Sequence, residues 1–332
     1  MALFKTPNID FVRLRLPALG LSALVIVAGL SLIVMRGGLP LGIDFSGGSL
    51  IILKFDQPTS EGAVRDALSV IEEKVIQQYG EAGENEMLVR LPISGPEDGA
   101  SLESAANEVI SALERGDLGS FEVLGQELVG PVIGQELQQR GINAFVFAMA
   151  GILLYIGLRF RFSFAVGAVV AVVHDIAIAL SLLTFLGYEL SLNVVAAMLT
   201  ITGYSVNDSI VVFDRVRENL RSMRRDAFAP LVNRSINQTL ARTVITSGTT
   251  SAAVLALYVF GGEVLEGFAF TMLVGVISGT YSTIFIAAMI AILITERKAA
   301  RGYQGAASTT ARQPATAQQR TKKRAIRRAR AS

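Results

Sequence analysis

Six long apolar stretches constrain this chain more than any other feature of its sequence. Each has roughly the length, about 20 residues, that a helix needs to cross the hydrocarbon core of a bilayer. The stretches occupy residues 16–35, 142–158, 163–186, 192–213, 243–260 and 267–294. Hydrophobic residues make up 51% of the 332 residues and charged residues only 17%, which is unusual for a water-soluble domain. The sequence therefore predicts a membrane α-helical bundle with six transmembrane helices.

The first stretch, residues 16–35, has the arrangement of a secretory signal peptide, because Arg13 and Arg15 precede it. No small-residue cleavage pattern follows before Arg36, and about twenty apolar residues are more than a signal peptide needs. We therefore expect a retained membrane anchor that follows a short cytoplasmic segment, residues 1–15.

The segments that connect the apolar stretches fall into two groups, one with a positive and one with a negative net charge. Residues 214–242 contain seven arginines against three acids, and residues 295–332 contain eleven lysines or arginines against one acid. Residues 36–140 have the opposite balance, with eighteen acids and seven bases. An excess of positive charge marks the cytoplasmic side of a membrane. We therefore expect both termini in the cytoplasm and residues 36–140 on the opposite side.

Residues 36–140 carry the local patterns of a small folded domain. The spacing of their apolar residues predicts, in chain order, a β-hairpin at 41–55, a helix at 60–79, a strand at 86–93, a helix at 101–115 and a strand at 120–129. A small α+β layer, one sheet with helices on one face, accommodates this order. The domain is poor in clusters of polar residues that could support catalysis, so a binding or docking role is the better interpretation.

The sequence predicts neither a metal site nor a cofactor site. The chain has no cysteine and a single histidine, His174, so a zinc site is not expected. Gly47 and Gly48 lack the spacing and the Lys-Ser/Thr pair of a phosphate-binding loop, and a tight turn is the better interpretation. We therefore expect no cofactor, no metal ion and no catalytic residue.

Asp208 is the first anomaly inside an apolar stretch. A carboxylate in hydrocarbon costs about 2.5–3.5 kcal/mol, so such residues normally face a bundle interior or a wet cavity. The next stretch begins near Arg242, with Thr246 one turn further along. If the two helices pack together, the three side chains share one depth in the cytoplasmic third of the membrane. An acid, a cation and a hydroxyl on facing helices are the parts of a proton relay, so we predict a proton-coupled membrane protein.

Two further residues join this candidate proton pathway. Tyr204 lies one turn from Asp208 on the same helical stripe, and Asn207 flanks it. A buried Asp208–Arg242 pair that only clamps two helices is the alternative, but such pairs contribute little net stability. The polar neighbours favour a hydrated, switchable cluster.

The adjacent pair His174–Asp175 in the third stretch is the second anomaly. Successive helical residues point about 100° apart, so we do not expect both side chains to face one neighbouring helix; one faces the Asp208 cluster while the other faces a partner subunit. Histidine changes its charge near neutral pH, which suits proton transfer, and a structural pair is an equally good interpretation. Asp175 is the stronger candidate, because a carboxylate costs more to bury than a neutral imidazole.

Small residues indicate where helices approach one another. Gly275 and Gly279 form a small-xxx-small face on the last stretch, and residues 246–251 make the start of the fifth stretch thin and polar. Both features permit close packing of helices, or sliding between two arrangements. Close packing alone is sufficient to explain them.

Residues 298–332 predict a disordered cytoplasmic tail, because they are rich in Gln, Ala, Thr and Arg. A basic tail binds anionic lipid, with about 1 kcal/mol of attraction for each basic residue near the surface. Contact with ribosomal RNA or a cytosolic protein is an alternative that rests on charge alone. We therefore expect a lipid contact and no nucleic-acid partner.

These motifs, in this order, resemble the SecF family, the six-span subunits of a bacterial protein-export accessory complex within the RND transporter superfamily. The matching segments are Gly42–Gly48, Val129–Pro131 with Gly134, His174–Asp175, Gly203–Ser209, Asp214–Asn219, and Arg242 with Thr246–Ser247. The resemblance covers about residues 10–297, and the basic tail has no part in it.

The resemblance implies a multi-pass subunit of the bacterial cytoplasmic membrane that pairs with SecD, works beside the SecYEG channel and has a periplasmic domain at residues 36–140. Such a subunit uses the proton-motive force to help move unfolded exported polypeptide outward, and YajC and YidC are additional candidate partners. Asp208, Arg242 and Thr246 match positions that the family assigns to the proton path. A further membrane aspartate belongs to SecD, so this chain is expected to be incomplete alone.

Two other functions remain open at this point. An RND-type half-transporter for a small molecule or a lipid shares the membrane half, although large periplasmic loops are expected in both halves of such a protein. A passive scaffold or insertase subunit would not need Asp208. The sequence also leaves open whether protons or sodium ions are used.

Overall fold

The computed structural model describes residues 7–71, 74–80, 83–91, 99–116, 118–160, 162–222 and 227–298, and the structural statements below concern these residues. Their helices are α1 (Arg15–Met35), α2 (Ile43–Ser46), α3 (Glu61–Ala67), α4 (Gly99–Arg115), α5 (Pro131–Arg159), α6 (Phe162–Leu186), α7 (Leu192–Ser222), α8 (Phe228–Phe260) and α9 (Glu263–Ser282). A π-helical turn, Thr283–Ala287, continues α9, and the helix runs on to Lys298. Apart from Lys298, the tail predicted at 298–332 lies outside the described residues.

Six helices in this part of the chain are long and apolar enough to cross a membrane, namely α1 and α5 to α9. Their number and order confirm the predicted six-helix membrane bundle. Two of them extend well beyond the apolar stretches, because α7 continues to Ser222 and α8 already begins at Phe228. The helices α6, α7 and α9 are the most buried and form the centre of the bundle, whereas α1, α5 and α8 keep most of their surface exposed.

Glycines allow α9 to approach α7 closely. A Cβ atom at Gly275 would lie 2.4 Å from Cγ2 of Ile201, and one at Gly279 would lie 3.1 Å from Cβ of Ser205. Because carbon atoms in a packed interior do not approach to 2.4 Å, the first contact requires glycine. The small-residue face predicted on the last span therefore serves close helix packing.

A four-stranded sheet lies between the first and second membrane helices in the chain. Its strands are β1 (Gly48–Phe55), β2 (Val75–Tyr79), β3 (Glu86–Leu91) and β4 (Phe121–Val129), in the spatial order β2-β3-β1-β4. Every neighbouring pair is antiparallel. Leu53 of β1 and Val89 of β3 are buried in one core with Val64 of α3 and Leu113 of α4. The predicted α+β layer with helices on one face of a sheet is confirmed.

The hairpin predicted at 41–55 is wrong in its first half. Residues Ile43–Ser46 form one helical turn, α2, and only the second half is a strand, β1. Gly47 and Gly48 have φ angles of 71° and 134°, which glycine adopts without strain, and they turn the chain from α2 into β1. Ile43 and Phe45 in the first half are buried, as alternate residues of a strand would also be. The alternation of apolar residues is therefore compatible with both a helical turn and a strand.

The helix predicted at 60–79 is also wrong beyond its first two turns. The helix α3 ends at Ala67, and residues 75–79 form the edge strand β2. Ile76 is buried between Val75 and Gln77, which are exposed, so the alternation of a half-buried strand is present. The apolar residues whose spacing suggested one helical face lie in α3, at its C-terminal cap, in the following loop and in β2, namely Val64, Leu68, Ile71 and Val75.

Candidate functional site

Two carboxylates are buried in the centre of the bundle. Asp175 lies on α6 and Asp208 on α7, with exposed fractions of 1% and 7%. A buried carboxylate is costly unless donors or a cation satisfy it. No group of three or more His, Cys, Asp or Glu side chains in the described ranges could hold a metal ion. The hydrogen-bond partners of the two carboxylates therefore decide what each can do.

Asp175 has a partner for each of its lone pairs. The hydroxyls of Ser205 and Ser282 donate to Oδ2 at 2.6 and 2.7 Å, and that of Ser278 donates to Oδ1 at 2.6 Å. Nδ1 of His174 lies 3.1 Å from Oδ1. An ionised carboxylate accepts about four hydrogen bonds, so this cage of donors satisfies the charged form completely.

His174 and Asp175 both contact α9, contrary to the prediction that they face different neighbours. Asp175 meets Ser278 and Ser282, while the His174 ring stacks on Tyr281 with the ring centroids 6.0 Å apart. The close approach of α9 to the bundle centre explains the difference, because residues on two sides of α9 reach α6. The imidazole bends back to Asp175 through Nδ1.

Asp208 has fewer partners. Thr243 of α8 donates to Oδ1 at 2.8 Å, and Oδ2 has no hydrogen-bond partner among the described residues. The hydroxyls of the next residue, Ser209, and of Thr283 lie 3.0 Å apart, where α9 passes into its π-helical turn. Such turns inside α-helices are frequent at functional sites. A proton can bind Oδ2 without breaking an existing hydrogen bond of Asp208.

The side chains of Arg242 and Thr246 are exposed on α8. No ion pair joins Arg242 to Asp208 in the part of the chain that the structure describes. The hydroxyl of Thr246 donates to the backbone carbonyls of Arg242 and Thr243, each at 3.0 Å. Thr243 therefore makes the hydroxyl contact with Asp208 that we considered for Thr246.

Tyr204 is half-buried and Asn207 is exposed. Asn207 precedes Asp208 and Arg242 precedes Thr243, so polar residues flank the Asp208–Thr243 contact on both helices. We call Tyr204, Asn207, Arg242 and Thr246 the polar flank. On helices that cross a membrane, an exposed polar surface needs water or a protein partner.

Two family models match the chain. The one described as "Protein export membrane protein SecD/SecF, C-terminal" matches residues 109–297, and the one described as "SecD/SecF GG Motif" matches residues 36–59. The protein translocase subunit SecF of Desulfurispirillum indicum is 44% identical over 291 residues, which are 86% of this chain and 91% of that relative. The chain belongs to the SecF family. The SecF subunit of Escherichia coli O157:H7 is 40% identical over 85% of this chain and 87% of its own length.

Solved structures of SecDF share the fold of this SecF-family chain. The crystal structure of SecDF from Thermus thermophilus is 35% identical in sequence, with a TM-score of 0.77 over 89% of this chain and 40% of that chain. A super-membrane-facing form of SecDF is 36% identical, with a TM-score of 0.65 over 92% of this chain and 41% of that chain. The chain therefore spans about two fifths of the length of the SecDF chains that it matches.

The GG-motif segment that marks the family, residues 36–59, joins the sheet to the membrane bundle. Two backbone hydrogen bonds of 2.7 and 2.8 Å tie the chain before α2 to Leu190 in the α6–α7 loop. Oδ2 of Asp44 accepts a hydrogen bond from N of Leu192 at 2.8 Å, where α7 begins. A carboxylate at this position satisfies a free helical N–H and the positive end of the helix dipole. The GG-motif segment thus caps the helix that carries Asp208.

Arg90 of β3 also contacts the GG-motif segment and the α6–α7 loop. We call the contacts among the sheet, the GG-motif segment, this loop and the start of α7 the junction. Nη1 of Arg90 lies 2.6 Å from Oε1 of Glu189 in the α6–α7 loop, and its Nη2 donates to the carbonyl of Leu41 at 2.7 Å and to Oγ of Ser46 at 2.6 Å. Burial raises the pKa of the Glu189 carboxyl above its usual value, and the Arg90 guanidinium opposes that rise. The sheet and the first turn of α7 are mechanically connected in this SecF-family chain.

The sequence analysis missed the hydroxyl residues that contact the two carboxylates, namely Ser205, Thr243, Ser278 and Ser282. A signal for one of them exists, because buried Thr239, Thr243 and Ser247 recur every four positions on α8. Arg242 and Thr246 form a second polar stripe one residue away. The sequence alone does not tell which stripe faces α7.

Proposed function

We propose that this chain is the SecF half of a complex that uses the proton-motive force to promote the export of polypeptides. Membership of the SecF family, the six-helix bundle and the likeness to SecDF structures support the assignment. In this proposal the complex lies in the bacterial cytoplasmic membrane, both termini are cytoplasmic and the sheet domain is periplasmic. The charge balance of the connecting segments supports that orientation.

Asp208 carries the proton-relay part of the proposal. One oxygen of this buried carboxyl accepts from Thr243, and the other has no partner among the described residues. A carboxyl group buried away from a cation takes up a proton more readily than one that is paired with a cation. Asp208 therefore alternates between a neutral acid, when Arg242 is turned outward, and an ionised partner of Arg242, when that side chain turns inward.

The SecD half completes the site in this proposal. The polar flank is exposed or half-buried, and α1 and α5 keep most of their surface outside the bundle. The chain also spans only 40% of the solved SecDF chain from Thermus thermophilus. We infer that SecD covers the polar flank, adds its own ionisable group beside Asp208 and gives protons a path to Arg242, Thr246 and Asn207.

The junction converts a change at Asp208 into motion of the sheet domain. Asp44 caps the first turn of α7, and Arg90 holds Glu189 in the preceding loop, so a tilt of α7 moves the sheet. The outer strands of the sheet in the described part of the chain, β2 and β4, can add a strand of unfolded polypeptide through backbone hydrogen bonds, which gives low sequence selectivity. The domain thereby holds the exported chain as it emerges.

The remaining partners follow from the same function. SecYEG supplies the channel beside which the complex works, YajC and YidC are further candidate partners, and the basic tail binds anionic lipid. The exported polypeptide is moved and not changed chemically, so the chain is not an enzyme in this proposal.

Export into membrane vesicles tests this function. Vesicles that contain SecYEG and SecD, but no SecF, receive this chain, and translocation of a secretory polypeptide is measured with and without a proton gradient. We expect the chain to restore the part of translocation that depends on the gradient. A chain that restores translocation equally without a gradient is a passive scaffold. Restoration by a sodium gradient alone would replace protons by sodium ions.

A further inference from the structure

Two buried hydroxyls contact each other beside Asp208, between α7 and the end of α9. Ser209 of α7 and Thr283, the first residue of the π-helical turn, are fully buried, and their oxygens lie 3.0 Å apart. Thr283 also interacts with the Asp208 carboxyl, as do Thr243 and Arg242 of α8. The π-helical turn thus brings a hydroxyl from α9 to the carboxyl that we assign to the proton relay.

This hydroxyl pair has one hydrogen more than its own contact uses. A hydroxyl carries one hydrogen and two lone pairs, and the contact between Ser209 and Thr283 uses one of the two hydrogens. Among the described residues, the second hydrogen has no acceptor and Oδ2 of Asp208 has no donor. Because buried polar groups normally have a hydrogen-bond partner, the unused hydrogen and the unpartnered oxygen complement each other.

The end of α9 divides its hydroxyls between two neighbouring helices. Just before the π-helical turn, Ser278 and Ser282 donate to Asp175 of α6 at 2.6 and 2.7 Å. One residue later, where the turn begins, Thr283 contacts Ser209 of α7 instead. Single π-helical turns inside α-helices are frequent at functional sites. The turn therefore separates the residues that anchor Asp175 from the hydroxyl that is available to α7.

The N-terminal segment holds the π-helical turn in place. The ring of Phe285, within the turn, packs edge to face against that of Phe11 with the centroids 5.9 Å apart. The backbone N–H of Phe11 donates to Oδ1 of Asn233 on α8 at 2.9 Å. The backbone that carries Thr283 is thereby connected to α8, whose Thr243 already contacts the Asp208 carboxyl.

We propose that Thr283 is a positioning residue whose hydroxyl is the partner of Oδ2 of Asp208 in both protonation states. The inference deepens the proton-coupled function proposed above and rests on it. When Asp208 is ionised, Ser209 donates to Thr283 and Thr283 donates to Oδ2. When Oδ2 carries the proton, its O–H donates to Thr283, Thr283 donates to Ser209, and the hydrogen of Ser209 turns to a carbonyl of α7. The hydroxyls reverse their direction and neither gain nor lose a proton.

A hydroxyl suits this position because it both donates and accepts. Arg242 only donates hydrogen bonds, so it can satisfy the ionised carboxylate but not the O–H of the neutral acid. Thr243 is already engaged with Oδ1 at 2.8 Å. Thr283 therefore supplies the acceptor that the neutral acid needs when Arg242 is turned outward.

Infrared spectroscopy tests this contact without measuring export. The full chain with SecD in membrane vesicles is titrated with acid, and the carbonyl stretch of neutral Asp208 is the band that Asp208→Asn lacks. Thr283→Val keeps the shape of the side chain but removes the hydroxyl, so the band should shift to higher wavenumber. Thr283→Ser should keep the wild-type band. Thr271→Val, the matched control, should also keep it, because Thr271 is equally buried and its hydroxyl donates to a carbonyl of its own helix.

An unshifted band in Thr283→Val would overturn the proposal and leave the proton relay standing. A wild type without a neutral Asp208 band at any pH would overturn the relay as well. If Thr283→Val does not co-purify with SecD, Thr283→Cys must show the band shift, because a thiol is only a weak donor and acceptor.

Export into the vesicles measures the consequence of the contact. The stimulation of translocation by a proton gradient should fall roughly fivefold in Thr283→Val, the effect expected for the loss of one hydrogen bond. Thr283→Ser should restore it, and Thr271→Val should match the wild type. An equal loss in Thr283→Val and Thr271→Val would show a general packing effect on the bundle and contradict the positioning role.

Discussion

At the scale of single residues, Asp175 and Asp208 show how the number of partners separates two buried carboxylates. Both lie in the centre of the bundle, but Asp175 has three serine hydroxyls and an imidazole around it, whereas Asp208 has a single threonine hydroxyl. The hydrogen bonds of Asp175, which use all the lone pairs of its carboxylate, connect α6 to α7 and α9. Asp208 has one oxygen without a hydrogen-bond partner among the described residues, so it can gain or lose a proton at little structural cost. We therefore assign the anchoring of α6, α7 and α9 to Asp175 and the switching to Asp208.

The two Asp→Asn variants should differ in stability for this reason. In Asp175→Asn the amide can accept at only one of its two ends, so donors that now bond the carboxylate lose their acceptor, at a cost of about 1–3 kcal/mol. In Asp208→Asn the Thr243 contact is retained and little stability is lost. Thermal unfolding of the purified complex with SecD measures the difference. Equal melting temperatures of the two variants would contradict the assigned roles.

At the scale of elements, the contact between α7 and α9 depends on Gly275. An added methyl group there meets Ile201, so Gly275→Ala should destabilise the bundle by about 1–3 kcal/mol through overpacking. Gly151 on α5 is the matched control, because a Cβ at that position has no atom within 4 Å and alanine is the better helix former. Melting temperatures of the two variants should move in opposite directions, and a Gly275→Ala protein as stable as the wild type would contradict the packing argument.

The junction between the sheet and α7 is the second contact that can be tested at this scale. Arg90→Gln leaves the carboxylate of Glu189 without its cation and should weaken the junction by about 1–2 kcal/mol, because the Glu189 side chain is 31% exposed and solvent screens part of the lost attraction. Glu189→Gln should leave the junction at least as stable, since the burial cost of the charge disappears together with the attraction and the raised pKa of Glu189 indicates that the burial cost is the larger of the two. Hydrogen exchange of residues 40–48 reports the opening of the junction. Lys54→Gln is the control, because Lys54 pairs with Glu86 at 2.7 Å on the surface and exposed pairs contribute little.

The same junction should depend on pH. Burial raises the pKa of Glu189 above its ordinary 4.5, so the docked form binds a proton more tightly than the undocked form. Docking therefore becomes more favourable as the pH falls through the raised pKa toward the ordinary value, and this contribution is lost above the raised pKa. Exchange of residues 40–48 should slow as the pH is lowered, after correction for the intrinsic exchange rate. A Glu189→Gln protein with the same pH dependence would show that another group is responsible.

Membrane helices were easier to predict from this sequence than the elements of the sheet domain. Length and hydropathy suffice for a helix in lipid, where backbone groups must bond within the segment. The stretch 60–79 is not one helix, because the apolar residues with helical spacing lie in α3, at its C-terminal cap, in the following loop and in β2, namely Val64, Leu68, Ile71 and Val75. The cost of placing a carboxylate in hydrocarbon also identified Asp175 and Asp208 from the sequence. Which serine and threonine side chains contact these two carboxylates depends on how α6, α7, α8 and α9 are rotated and packed against one another. The hydropathy of the sequence does not give this information.

At the scale of the whole molecule, the proposed orientation in the membrane follows from the sign of the net charge of the segments that connect the membrane helices. Unique cysteines at Gln57 and Glu97 should react with an impermeant thiol reagent from the periplasmic side, and cysteines at Arg224 and Ala315 only after the membrane is opened. The cysteine-free chain supplies a clean background. A cytoplasmic label at Glu97 would reverse the assignment of the sheet domain and remove its role in holding an emerging polypeptide.

Gradient-dependent export by Asp208→Asn tests the central claim most directly. Asparagine keeps the shape of the side chain and an oxygen for Thr243 but cannot bind and release a proton. The variant should co-purify with SecD as the wild type does, and the stimulation of translocation by a proton gradient should disappear. Asp56→Asn, the same change at an exposed position after β1, should retain it. Full gradient-dependent stimulation in Asp208→Asn would contradict the proton relay and leave Asp208 as a contact between α7 and α8.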